Sequence, residues 1–226
     1  MLDKLKRGKW KYASIGFLLL IPAAIWVNPR LIGASSRFTL NMGAGHNHLG
    51  SYYSQRGELD KALVQFKKAL ELEPYRAEAH YNLANIYYRR GELDKALRGY
   101  REAIRRNPFY DSAHLAIALV YEKQGKIEEA INKYREILAN LPGNLRAGLM
   151  LSRLLISEDR SRDAVSVLES TIRRHPDNPE PVLYLAAAWE KSGSKDDARR
   201  VLEAGVSRMP GSGRLHLNLG RLLARE

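Results

Sequence analysis

The sequence has no cysteine among its 226 residues. This absence excludes disulfide bonds, thiolate metal sites, cysteine nucleophiles and lipid attachment through cysteine, and it leaves the redox compartment open. A glycine-rich phosphate loop is also missing, and no serine, histidine and acid form a recognisable hydrolytic triad. We therefore predict a protein that is not an enzyme and that has no catalytic residues, no cofactor and no metal site.

Uncharged apolar runs are scarce, and the one long example is residues 13–27, ASIGFLLLIPAAIWV. Trp10, Tyr12 and Trp26 lie near its ends, where aromatic residues meet the membrane–water interface. Residues 1–12 carry five Lys or Arg against Asp3 alone. The pattern predicts a transmembrane signal anchor at 13–27, with a basic cytoplasmic tail at 1–12. The rest of the chain would then be periplasmic or otherwise extracytoplasmic.

A second interpretation of this region is a cleaved secretory signal. Ile32, Gly33 and Ala34 offer a loose processing site of small residues, although isoleucine fits it poorly. Cleavage near Ala34 would release a soluble secreted or periplasmic protein. Residues 28–42, with Pro, Gly and Ser and little periodicity, are predicted to be a linker.

The formal net charge is +12, but it is unevenly distributed. Residues 1–42 hold seven Lys or Arg and one acid, so about half of the excess belongs to the N-terminal region. This distribution argues against nucleic acid as a partner, because the remaining chain is only modestly basic.

The rest of the sequence repeats every 34 residues. In residues 77–108 two amphipathic patterns of helical period are separated by Gly91 and closed by Pro108, which predicts a helix–turn–helix pair. The small residues that would allow close helix approach recur as Gly50, Ala84, Ala118, Ser152, Ala186 and Gly220. The closing prolines recur as Pro74, Pro108, Pro142, Pro176 and Pro210.

This period and its small/large pattern resemble the tetratricopeptide repeat family. The resemblance implies an all-α solenoid, a right-handed superhelix of antiparallel helix pairs, behind the transmembrane helix. Five units would occupy 43–76, 77–110, 111–144, 145–178 and 179–212, and a capping half-repeat would occupy 213–226.

Family members usually bind protein ligands in a concave groove made by the first helix of each pair. The resemblance therefore implies a binding groove formed by Tyr81, Asn82, Asn85, Tyr88, Arg89, Leu115, Leu119, Arg146, Leu149 and Arg153. Tyrosine and asparagine suit an extended peptide, and the arginines suit an acidic group. The leucines would form an apolar floor, but packing between neighbouring first helices explains them equally well.

Histidine recurs at the fourth position of four units, as His46, His80, His114 and His216. Neighbouring helices are about 10 Å apart, too far for shared zinc ligands, so a packing role is favoured over a metal site. The half-repeat 213–226 retains apolar residues on its outer side, which predicts possible self-association there.

Together these features predict a membrane-anchored scaffold that binds protein partners in its groove and supports assembly of a membrane-associated complex. One alternative is a soluble secreted chaperone produced by cleavage near Ala34. Another is an organellar import receptor or photosystem assembly factor, with its repeats facing cytosol or stroma.

Overall fold

The computed structural model describes the backbone of residues 29–224 and the side chains of residues 42–224. The predicted basic tail at 1–12 and the predicted membrane segment at 13–27 lie outside this range. Within the described part, no helix combines the length and the apolar character needed to cross a bilayer.

Residues 29–224 form eleven α-helices and no strand. In chain order the helices are α1 (Pro29–Gln55), α2 (Leu59–Leu72), α3 (Ala77–Arg89), α4 (Leu93–Arg106), α5 (Asp111–Lys123), α6 (Ile127–Asn140), α7 (Leu145–Ser157), α8 (Ser161–Arg174), α9 (Pro179–Lys191), α10 (Lys195–Arg208) and α11 (Gly213–Leu223). From Ala77 onward the first helix of each pair begins every 34 residues, as the sequence period requires.

The turn inside each pair explains the recurring glycine. Gly57, Gly91, Gly125 and Gly193 have φ between 72° and 86°, a left-handed conformation that side chains disfavour. The following residue donates its backbone N–H to a carbonyl five residues back, as from Glu92 to Tyr87 at 2.9 Å. This hydrogen bond closes the end of the first helix.

The region 28–42, predicted as a linker, differs in the structure because residues 29–42 belong to α1. Pro29 is the first residue of the described helix, a position where its missing N–H costs no helical hydrogen bond. Glycine and serine lower helix propensity by less than about 1 kcal/mol each, so composition alone does not end a helix here.

The described residues form two compact units, one that ends at Ile86 and one that begins at Tyr87. In the first, the buried core contains Ala62, Phe66 and Ile86, with Tyr53 and Leu83 packed against it. Gly50 is required there, because a Cβ atom added to it would lie 2.7 Å from the ring of Phe66.

The second unit has a larger core that runs through successive helix pairs. The fully buried side chains at its centre are those of Tyr134, Leu151, Leu155 and Leu168. Alanines at the small positions, such as Ala118, let the two helices of a pair approach closely. Toward α11 a second buried cluster contains Leu202 and Leu215.

Candidate functional site

In residues 87–224, successive first helices are joined on one face by polar contacts. The pairs are Lys123 with the carbonyl of Tyr88, Arg153 with Glu122, Lys191 with the carbonyl of Ile156, and Arg214 with Glu180. Since every pair joins one first helix to the next, the residues of α5, α7, α9 and α11 on this side form one continuous surface. We call it the first-helix face.

At the start of this face, Tyr88 and Lys123 interact in two ways. The Lys123 Nζ atom lies 4.5 Å from the centre of the Tyr88 ring and donates a hydrogen bond to the Tyr88 carbonyl at 3.3 Å. The ammonium group therefore lies at the negative, carbonyl end of α3, where a cation is stabilising. Arg89, the next predicted groove residue, is exposed.

Further along, a buried tyrosine holds the acid of an ion pair. Tyr134 is fully buried, and its Oη atom donates a hydrogen bond to Glu122 Oε1 at 2.6 Å. The other oxygen of Glu122 accepts from Arg153 at 2.6 Å. Burial, reinforced by the hydrogen bond to Glu122, raises the pKa of Tyr134 above its ordinary value. The phenol thus stays a donor and fixes Glu122 beneath Arg153.

The predicted leucine floor divides into two classes. Leu115 is only 5% exposed and packs in the core with Ala147 and Leu151 of the next first helix, so the structure places it in the core instead of the groove. Leu119 and Leu149 are partly exposed. Leu183, which sequence reasoning did not select, is partly exposed at the position equivalent to Leu149.

The two predicted arginines also differ. Arg153 is committed to Glu122, as described above. Arg146 is exposed, and within residues 42–224 no hydrogen bond or ion pair engages it. Arg146, at the start of α7, is therefore a cation of this face that has no partner among residues 42–224.

The remaining predicted groove residues, Tyr81, Asn82 and Asn85, lie in the first compact unit and are partly buried. The side-chain amide of Asn82 donates to the side-chain oxygen of Asn47 at 3.1 Å. Asn47 itself is 1% exposed. The side-chain amide of Asn82 therefore uses one of its hydrogen-bond donors to join α3 to α1.

The recurring histidines have a structural role that sequence reasoning did not identify. His80, His114 and His216 each pair Nε2 with the carbonyl oxygen of the closing proline six residues earlier, at 2.9, 2.9 and 3.0 Å. These bonds fix the loops between units. The signal was the constant six-residue spacing from proline to histidine. No group of three or more potential metal ligands occurs in the described part of the chain.

Two protein-family models match the repeats in the sequence. One, described as TPR repeat, matches residues 50–91 and 84–125. The other, described as tetratricopeptide repeat, matches residues 121–174 and 156–225. The chain belongs to the tetratricopeptide repeat family. Proteins of this family are generally scaffolds for protein interaction and not catalysts.

Solved structures of tetratricopeptide repeat proteins have the same fold. A protein from Parabacteroides merdae is 22% identical with a TM-score of 0.64, and the match covers 80% of this chain and 72% of that one. Pseudomonas aeruginosa PilF is 23% identical with a TM-score of 0.63, covering 81% and 85%. YrrB, described as having an unusual peptide-binding site, is 18% identical with a TM-score of 0.56, covering 78% and 90%. No curated protein matches the chain.

Proposed function

We propose that this tetratricopeptide repeat protein is a non-enzymatic scaffold that binds an extended segment of a partner protein on its first-helix face. The observation that carries the proposal is the partial exposure of Leu119, Leu149 and Leu183 on successive first helices. Exposed apolar residues rimmed by polar groups are typical of interaction surfaces. The rim is supplied by the Tyr88–Lys123 and Glu122–Arg153 pairs.

The chemistry of this face suits a peptide. Leucines give apolar contact to side chains of an extended segment, and Tyr88 offers a rigid ring with a polar tip. Arg146 adds an uncompensated positive charge, which favours a segment with an acidic side chain or a free carboxylate nearby. By binding such a segment, the scaffold would hold the partner protein on its first-helix face.

We further propose that residues 13–27 anchor the protein in a membrane, with residues 1–12 in the cytoplasm and the repeats on the extracytoplasmic side. The apolar run, its aromatic flanks and the basic tail support this placement. Confinement to a membrane raises the effective concentration of partners, so a modest binding face can support assembly of a membrane-associated complex.

The binding face is tested by site-specific photo-crosslinking in the intact, full-length protein. A photoreactive residue at position 149 should crosslink to discrete protein species, whereas one at Leu141, an exposed leucine in an inter-repeat loop, should not. Leu119→Asp should lower the yield at position 149 at least tenfold without changing the far-ultraviolet spectrum. Equal yields from positions 149 and 141 would refute the binding face.

The membrane arrangement needs a separate measurement. Full-length protein should resist carbonate extraction, and its repeats should be protease-protected in intact cells and digested after the envelope is ruptured. A soluble product that begins near Ser35 would instead show signal cleavage. Digestion without rupture would place the repeats on the cytosolic side, as the organellar interpretation requires.

A further inference from the structure

A leucine recurs at the fifth residue of four successive first helices, as Leu115, Leu149, Leu183 and Leu217. Leu115 is 5% exposed and belongs to the core. Leu149 and Leu183 are partly exposed, and Leu217 is 54% exposed. We call the last three the leucine row. Because each member has the same position on its helix, the row repeats with the period of the chain.

An ion pair shows that two members of the row are neighbours. Glu180 and Arg214 join α9 to α11. Leu183 and Leu217 each follow one member of this pair by three residues, and residues at that spacing share one helix face. The two leucines therefore lie side by side on the first-helix face. Leu149 has the same position on α7, which packs against α9.

The spacing of the leucine row restricts the conformation of a ligand. Axes of packed helices are about 8–10 Å apart, so leucines at one position of successive helices are separated by about the same distance. The two intervals of the row therefore cover about 16–20 Å. A ligand that contacts all three leucines must present side chains on one side at this interval.

A polyproline II segment meets this requirement. It has three residues per turn and rises about 3.1 Å per residue, so every third side chain lies on one side, about 9 Å from the last. Two such steps cover about 19 Å. Side chains on one side of a β-strand are only about 7 Å apart, and two heptads of an α-helix cover about 21 Å. The polyproline II spacing falls within the range of the row at both steps.

The polar groups of the first-helix face favour the same conformation. Lys123, Arg153 and Lys191 are already engaged by neighbouring first helices. A polyproline II backbone remains hydrated, so it needs no hydrogen-bond partner from the face. Residues 29–224 also contain no strand whose edge a β-strand ligand could extend.

Charge distinguishes one end of the row from the other. Arg146 precedes Leu149 by three residues, is exposed and has no partner among residues 42–224. The equivalent residues beside the other two leucines, Glu180 and Arg214, are paired with each other. An acidic ligand group therefore finds an available cation beside Leu149, at the α7 end of the row.

We propose that the leucine row binds a polyproline II segment of a partner protein in which every third residue is apolar and an acidic residue adjoins one end of the apolar series. The inference rests on the proposed function, because it uses the same face, and it adds the conformation and spacing of the ligand. It also makes Leu217 the third apolar contact.

Peptide binding to the full-length protein in detergent tests the spacing. Three fluorescein-labelled peptides of equal length each carry three leucines and one aspartate beside an end leucine. The first has leucine at every third position among proline and glutamine, and the second has the same composition with leucine at every second position. The third has leucine at every seventh position among alanine and glutamine, so that it can form a helix.

Fluorescence anisotropy should give a dissociation constant at least tenfold lower for the first peptide than for the other two. Burial of one leucine side chain changes an equilibrium constant by roughly tenfold or more, and only the first peptide reaches the whole row. Leu217→Asp should weaken binding of the first peptide at least tenfold. Leu223→Asp is the matched control, because Leu223 is a 46% exposed leucine of α11 outside the row, and it should leave binding unchanged.

The proposal is overturned if the second or third peptide binds as tightly as the first, or if none of the three binds. It is also overturned if Leu217→Asp binds the first peptide as tightly as the wild type does. Photo-crosslinking from position 149 tests the proposed function independently. Discrete crosslinks there, together with no preference for the period of three, would leave the binding face standing and remove only the polyproline II ligand.

Discussion

Replacing Tyr134 with phenylalanine tests whether the buried phenol organises the first-helix face. The change removes one oxygen atom and keeps the ring that fills the core. It deletes the 2.6 Å hydrogen bond to Glu122, whose side chain is only 14% exposed. Water therefore poorly replaces the lost Tyr134 hydroxyl donor. Of the two hydrogen-bond donors to Glu122, Tyr134 and Arg153, only Arg153 remains.

The expected loss follows from the charge on the acceptor. A hydrogen bond to an ionised group contributes about 1.5–3 kcal/mol. For a domain of this size each kcal/mol lowers the melting temperature by about 2–4 °C. Tyr134→Phe should therefore lower the melting temperature by about 3–12 °C at neutral pH. Arg153→Met, the control, breaks an ion pair whose arginine is 48% exposed and should cost less than about 1 kcal/mol.

The pH dependence gives a sharper signature. Burial, with the hydrogen bond to Glu122 second, raises the pKa of Tyr134 above 10.0, its ordinary value, which applies in the unfolded chain. Above that pH the unfolded state loses the proton first, so the contribution of Tyr134 to stability falls as pH rises. The fall is about 1.4 kcal/mol per pH unit.

Thermal unfolding followed by circular dichroism at pH 7, 9 and 11 checks both parts. The difference in melting temperature between the wild type and Tyr134→Phe should be constant up to pH 9 and should shrink by pH 11. If the two proteins melt together at pH 7, or if their difference is the same at pH 9 and 11, the phenol does not hold Glu122 in the way we describe.

Three further predictions concern the repeat itself. His114→Ala removes a bond to the Pro108 carbonyl and should cost about 1 kcal/mol, with faster hydrogen exchange at 107–111 and unchanged exchange in α9. Asp159 has φ of 59° where other units have glycine, and its carboxylate pairs with Lys191. Both Asp159→Val and Asp159→Gly remove this exposed ion pair, so in urea unfolding Asp159→Val should cost about 1–2 kcal/mol more than Asp159→Gly. Gly148→Ala places a Cβ 2.5 Å from Thr171 Oγ1 and should lower the free energy of unfolding by about 1–3 kcal/mol. Adding Thr171→Ala should recover part of that stability, because it removes the clashing hydroxyl.

The helix pairs could be predicted because each one needs the same few residues. A left-handed turn favours glycine, a closing proline ends the second helix, and small residues allow close packing, so a 34-residue period fixes where helices begin. The extent of α1 could not be predicted in this way. Residues 29–42 precede the first repeat, so no period constrains them, and glycine and serine weaken a helix without forbidding it.

The site was less predictable, because burial depends on the distance between neighbouring first helices. Leu115 and Leu149 occupy equivalent positions in the sequence pattern, yet Leu115 is buried and Leu149 is partly exposed. The same limit applies to charge. The sequence shows two arginines, Arg146 and Arg153, but only the structure shows that Glu122 already pairs with Arg153.

That pairing decides how the first-helix face can select a ligand. An acidic ligand group that approached Arg153 would have to displace Glu122, which Tyr134 holds in place from below. At Arg146 the same group meets no internal competitor among residues 42–224. A partner segment should therefore place its acid near the start of α7 and its apolar residues along Leu119 and Leu149. Arg146→Gln should then weaken binding of an acidic segment more than Arg153→Gln does, although both changes remove one positive charge.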